Sequence, residues 1–225
     1  MFYPFGEDTH KKIEGELIED HRSLFRKYFE SDEKLDEFIN KNLDVSKGNI
    51  QRRSINNIQR LVALADELII VKPGKYDLAI FFLLSCIESL YTLNDYKMQK
   101  QEMIIDFFEN YITDDECNFL IKSIMVSSRT LPYDYEITIE RFSLLLVAIR
   151  NHVTHEGIYW NSHFIAEEAN ERTTIMNSFL AKPDKNSKAQ KVVFTNTMKF
   201  SELRDIFIKG FICFVIKHES NNSVE

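Results

Sequence analysis

Glycine and proline are scarce: six and four among 225 residues, well under the combined share of about 12% in average proteins. So few breakers argue against a turn-rich sandwich and for long helices. Cysteine is nearly missing too. Cys86, Cys117 and Cys213 stand apart among apolar neighbours with no CxxC pair. That excludes a disulfide framework and a cysteine zinc site, and leaves free thiols in a reducing compartment. The two strongest apolar runs, 78–84 and 211–216, fall far short of the roughly 20 residues of a spanning helix. The opening MFYPFGEDTHKK lacks the basic start and apolar stretch of a signal peptide. A cytoplasmic protein with no membrane association is therefore expected. Positive charge is in deficit, with 28 Lys and Arg against 35 Asp and Glu for a net −7. A globally basic nucleic-acid binder is excluded, but a local basic patch is not. There is no Gly-rich phosphate loop, no GxSxG elbow, no recognisable Cys–His spacing and no internal repeat.

What is present fits a folded chain. Hydrophobic residues make up 44% and charged residues 28%, ordinary values for a globular protein and wrong for a disordered one. Residues 8–42 space Ile13, Leu17, Leu24, Phe25, Phe29, Leu35, Phe38 and Ile39 at helical intervals, which predicts two or three short amphipathic helices. Ser31 before Asp32-Glu33-Lys34 reads as a helix start. A strong amphipathic helix is predicted over 50–71, ended by Pro73-Gly74. The next, over 77–93, is apolar nearly all round and belongs at the centre of a bundle; Glu88 inside it is an anomaly. Helices over 99–112 and 114–127 follow, the second opened by a capping box at Thr113. A second core helix covers 137–155 and ends near Gly157, and a final aromatic-faced helix covers 201–217. Short β-branched runs at 172–180 and 192–197 fit a small β-hairpin, although such runs do not by themselves separate strand from helix. The organisation expected is an N-terminal helical extension (1–48), an all-α bundle (49–217) and a disordered tail (218–225).

Charge is uneven along the chain. Residues 182–217 hold eight Lys and Arg against three acids, so 8 − 3 = +5, leaving −12 for the remainder of the net −7. Lys182, Lys185, Lys188 and Lys191 share one loop. They suit a phosphate-facing arm that supplies affinity without sequence specificity, and equally a solvated loop.

The stretch that stands out is Arg150-Asn151-His152-Val153-Thr154-His155-Glu156-Gly157, where an apolar helix turns abruptly polar. Asn151 and His155, four apart, share a helical face. Arg150, five before His155, lies about 140° away on an ideal α-helix. Arg, Asn and His suit work on a phosphate. Histidine moves protons near neutral pH, and arginine offers fixed donors to phosphate oxygens. Such a set can drive a ribose 2′-OH onto the adjacent phosphate, a reaction confined to RNA. Neither metal nor cofactor is required, and the HExxH pattern is absent, since His152 and His155 are three apart. The same residues also fit simpler roles: a histidine favoured by the helix C-terminus, and an Arg150 paired with Glu88 or Glu156.

The pattern Arg150-Asn151-x-x-x-His155, the extension His155-Glu156-Gly157 and the upstream helix FFLLSCIESLYTL carrying Glu88 together resemble the HEPN domains (higher eukaryotes and prokaryotes nucleotide-binding). The extension is similar to that of ApeA-like and related phage-defence branches. The resemblance spans about residues 50–217. It implies an up-down helical bundle, often a homodimer whose two motifs face each other across the two-fold axis in one composite cleft. Many members are metal-independent endoribonucleases of toxin–antitoxin, abortive-infection or CRISPR systems; others are binding modules without nuclease activity. Arg150 and His155 match the catalytic pair, Asn151 the polar residue after the arginine, and Glu88 the acid of the core helix. RNA would be the substrate, with a regulatory or antitoxin partner in attendance. One departure is plain. The antitoxin-paired branch commonly has Tyr two residues after the motif histidine, where this chain has Gly157; Tyr159 is off that register.

Two function classes follow. One is an endoribonuclease worked by Arg150, His155, Asn151 and Glu88, with the lysine loop holding the RNA. The other is a non-catalytic dimeric binding or regulatory module, which the acidic net charge favours. An antitoxin-like scaffold acting through the N-terminal helices is a weaker third.

Overall fold

Helices begin where the sequence supplies an acceptor for free amides. A computed structural model describes residues 7–44, 49–126, 136–167, 174–181 and 190–219. Helix α1 (Glu7–Phe25) runs unbroken into a 3₁₀ turn at Arg26–Tyr28, and α2 follows at Asp32–Leu43. Ser31 Oγ accepts the Lys34 amide at 3.3 Å, the N-cap expected. Next come α3 (Asn49–Val71) and α4 (Tyr76–Leu93), separated by a tight turn in which Gly74 adopts φ 77°. Helices α5 (Lys100–Asn110) and α6 (Asp114–Ser123) meet at Thr113. There the Glu116 amide donates to Thr113 Oγ1 at 3.3 Å and the Thr113 amide donates to Glu116 Oε2 at 3.2 Å, a reciprocal capping box. Helix α7 covers Ile139–Asn151 and α8 covers Phe200–Glu219.

The chain is mostly helical, and α4 lies at the centre of the helices. Phe25 and Leu35 of the N-terminal helices belong to the same apolar cluster as Ile58 of α3, Leu83 and Ile87 of α4, Phe108 of α5, Leu146 of α7 and Phe211 of α8. Arg204 of α8 joins α3 through Asp66, with both N···O distances 2.5 Å. Tyr28 donates to Asp205 at 2.7 Å, tying the N-terminal turn to α8. Gly210 lies mid-helix in α8, and the helix passes straight through it. A Cβ there would come within 2.6 Å of Ile112 Cδ1 and of Phe107 Cζ, so the missing side chain is what lets α8 lie close to α5.

Two corrections concern element limits. The helix expected over 114–127 stops at Ser123, and Ile124–Val126 forms a short strand, β1. Its β-branched residues are poor helix formers, and β1 pairs antiparallel with β3 (Gln190–Asn196), Ile124 opposite Asn196. The hairpin expected near 172–197 is present: β2 (Thr174–Ala181) pairs antiparallel with β3, Thr174 opposite Asn196 and Ala181 opposite Gln190. The sheet order is β1-β3-β2. The disordered tail expected over 218–225 is corrected at its first two residues, because His218 and Glu219 continue α8; residues 220–225 lie outside the described residues. His218 stacks on Phe214 with ring centroids 4.0 Å apart, and such contact holds the last turn. The end of the N-terminal extension expected near residue 48 falls at residues 45–48, which lie outside the described residues.

Among the described residues one helix, α4, is long and apolar enough by composition to cross a membrane, with 18 residues at mean hydropathy 1.4; half of it is buried inside the bundle. Of the three free cysteines, Cys86 is buried and Cys117 and Cys213 are half-buried.

His21 of α1 is fully buried, its Nδ1 2.6 Å from the Leu17 carbonyl, so Nδ1–H is the donor. Burial pushes its pKa below the ordinary 6.5, only partly opposed by the Leu17 and Ile55 carbonyls and Asp20. The folded protein therefore binds this proton less readily than the unfolded chain. Its contribution to stability is complete above pH 6.5 and is lost as pH falls from there through the lowered folded value, with a slope of up to about 1.4 kcal/mol per pH unit. A His21→Gln variant is expected to show a flatter decline of Tm between pH 7 and 5 than the wild type. Parallel curves would show that His21 is not the group responsible.

Candidate functional site

Helix α7 buries Phe142, Leu145, Leu146 and Ile149. The residue after Ile149 is Arg150, which faces Glu88 of α4 instead of solvent. Arg150 Nε lies 2.8 Å from Glu88 Oε1, and Nη2 donates to Glu88 Oε2 at 3.2 Å. The Nε–Oε1 approach is close but bent, since neither atom has a hydrogen bond of good angle. Both side chains are largely buried, 13% and 14% exposed. Lys100, the first residue of α5, reaches Glu88 Oε2 at 3.2 Å from the solvent side. Two cations thus share one carboxylate, and the cluster keeps a net positive charge that an anion can meet. Arg150 Nη1 also points to Asn151 Oδ1 at 3.4 Å. The anomalous acid of the core helix is therefore the partner of the motif arginine, and not of His155.

Past Asn151 the backbone widens into a single π-helical turn, His152–Glu156. It closes with the Gly157 amide donating to the His152 carbonyl and the Ile158 amide donating to the same oxygen at 3.1 Å. Gly157 adopts φ 65°, the left-handed end that glycine tolerates best. Thr154 Oγ1 bonds back to the carbonyls of Arg150 (3.0 Å) and Asn151 (3.3 Å). The wider turn changes the geometry of the motif. A π-turn advances by about 80° per residue instead of about 100°, so Arg150 and His155 come to within about 90° of each other. Single π-turns of this kind are frequent at functional sites. His155 is exposed and makes no hydrogen bond or ion pair with other described residues. Its imidazole is open to a ligand, while Arg150 is held from behind.

The chain leaving the motif is anchored by a residue the sequence reading did not single out. Asp77, in the first turn of α4, is 1% exposed. Its carboxylate accepts the amides of Asn161 at 2.8 Å and Ser162 at 2.9 Å. Asn161 Nδ2 in turn lies 3.5 Å from His152 Nδ1, and His152 Nε2 lies 4.0 Å from Glu156. An acid beginning an apolar helix was the available signal, but it reads first as a favourable dipole contact. Lys100 carried no signal at all, being one surface lysine among many.

The structure thus brings Arg150, Asn151 and Glu88 together and sets His155 on the adjoining turn. Lys182, Lys185 and Lys188 lie outside the described residues. Lys191 lies on β3, opposite Leu180, with its side chain outside the description. Comparison with protein-family models, curated proteins and solved structures gives no match to this chain.

Proposed function

We propose that this protein is a HEPN-like, metal-independent endoribonuclease with an up-down bundle core, acting in the cytoplasm within a prokaryotic defence or toxin system. The observation that carries the reading is the pairing of a largely buried, Glu88-braced Arg150 with an exposed His155 one π-turn away. His155 takes the proton of a ribose 2′-OH, and O2′ attacks the adjacent phosphorus. Arg150, with its fork oriented by Glu88 and Asn151, stabilises the negative charge that builds on the phosphoryl oxygens. The P–O5′ bond breaks, and the departing oxygen takes a proton from the imidazolium of a second copy of His155 across a homodimer cleft. The products are a 2′,3′-cyclic phosphate and a 5′-hydroxyl. Lysines 182, 185, 188 and 191 hold the RNA backbone, and a regulatory or antitoxin partner keeps the activity in check.

A second reading is a non-catalytic dimeric module. The engagement of Arg150 with Glu88 favours it, because a guanidinium already bound to a carboxylate has fewer free donors for phosphate. The test is cleavage of labelled tRNA and mRNA by the full chain in EDTA, beside His155→Ala. The wild type is expected to cut, leaving cyclic or 3′-phosphate ends, with the variant at least a hundredfold slower, the loss usual for a removed general base. Equal cutting by both would sink the role of His155. No cutting by either, at any protein concentration, would favour the binding module.

A further inference from the structure

Just beyond the motif, Tyr159 and Trp160 stand exposed at 37% and 50%. Trp160 is the only tryptophan of the chain. Exposed large aromatics side by side are costly to leave in water, and here they are held in a defined arrangement. Their rings meet edge to face with centroids 5.1 Å apart. Lys75 Nζ lies 5.8 Å from the Tyr159 centroid and 5.9 Å from that of Trp160, within reach of cation–π attraction to both. The next residue, Asn161, is fixed by the buried Asp77 carboxylate and touches His152 of the motif turn. The pair therefore sits on a braced loop attached to the site at one end and to the start of α4 at the other.

We infer that Tyr159, Trp160 and Lys75 form a stacking platform for an unpaired base of single-stranded RNA. The aromatic faces take the base, and the lysine takes its phosphate. This inference rests on the reading of RNA as the ligand and narrows it to single strands. Stacking on aromatic side chains beside a cation is how proteins hold single strands without reading sequence, and a base in a duplex has no free face to offer. Asp77 and Glu88 are eleven residues apart on α4, about 16 Å. That places the platform roughly two to three nucleotides of extended strand from the Arg150–Glu88 pair. The stacked base thus belongs to a flanking nucleotide, and the platform positions the strand without touching the reacting phosphate. An anchor here also offsets the acidic net charge, since stacking does not depend on it.

The sole tryptophan makes the test direct. In the His155→Ala full-length protein, Trp160 emission is followed during titration with an eight-nucleotide uridine RNA, the same RNA in a duplex, and an abasic chain of equal length. Strong quenching by the single strand alone is expected. Binding of a labelled strand, followed by anisotropy, is expected to weaken about tenfold to a hundredfold in Trp160→Ala, while Trp160→Phe recovers most of it. Lys75→Ala is expected to weaken it less and to flatten its salt dependence. Emission unchanged at saturating RNA, or quenching equally strong with the abasic chain, overturns the platform. Wild-type cleavage with a silent Trp160 overturns the platform and leaves the nuclease reading intact. Quenching in a protein that never cuts does the reverse.

Discussion

Arg150→Ala is expected to lower stability by about 2–4 kcal/mol and, under the nuclease function proposed above, to abolish RNA cleavage. The loss arises because Glu88, 14% exposed, would be left as a largely buried carboxylate. Removing one partner of a fully buried pair costs about 3–5 kcal/mol. Lys100, 3.2 Å away on the solvent side, remains as a partial counter-charge, so the expected loss shifts down to about 2–4 kcal/mol. For a chain of this length about 2–4 °C of Tm follows each kcal/mol, giving a fall of roughly 5–15 °C. Removing both charges is a different experiment. Arg150→Met with Glu88→Gln deletes the ion pair together with its desolvation penalty, and such replacements are often close to neutral. The double variant is expected to melt nearer to the wild type than Arg150→Ala does, yet to be as inactive. That combination separates the structural from the chemical role of Arg150. A double variant that is simply additive would show that the two residues are not coupled, and that Glu88 does not brace the arginine.

Asp77→Ala is expected to have an effect of similar size through lost hydrogen bonds to the backbone, with no ion pair involved. The carboxylate accepts two backbone amides, those of Asn161 and Ser162, and Ser162 is fully buried. Each buried amide left without an acceptor costs about 1–3 kcal/mol, and the lost negative charge at the α4 N-terminus adds a few tenths. The sum is about 2–6 kcal/mol. Asp77→Asn keeps one acceptor oxygen, and about half that loss is expected. The loss should also be local, with faster hydrogen exchange of the amides at 158–165 while those of α3 and α5 stay protected. If Asp77→Ala melts within a degree of the wild type, the loop is held by something else, and the bracing assigned to Tyr159 and Trp160 falls with it.

Both variants act on residues whose importance was unequally visible in the sequence. Glu88 stood out as an acid inside a helix apolar nearly all round, and Arg150 as the first polar residue after an apolar run. Their partnership could be offered only as one of two choices, with Glu156 as the other, because sixty-two positions separate Arg150 and Glu88. Asp77 and Lys100 act through contacts that no spacing rule connects to the motif. The angle between Arg150 and His155 is a further case. Five residues on an α-helix make about 140°, and only the i→i+5 closure onto the His152 carbonyl brings them round.

Helix starts at Ser31 and Thr113, the stop at Gly74, the central place of the apolar α4 and the end of the motif turn at Gly157 were all legible. Each depends on side-chain–backbone chemistry within about four residues, or on a periodicity that repeats along one helix. Strand β1 was not legible. Three residues after a helix become a strand because β3, some seventy positions on, supplies their hydrogen bonds. The role of Gly210 was likewise not legible, since what decides it is the Phe107 ring of another helix. Local propensity amounts to tenths of a kcal/mol per residue, whereas buried charges, amides and rings from distant segments are worth several. Where the two meet, the larger energies win, and those depend on neighbours that chain order does not reveal.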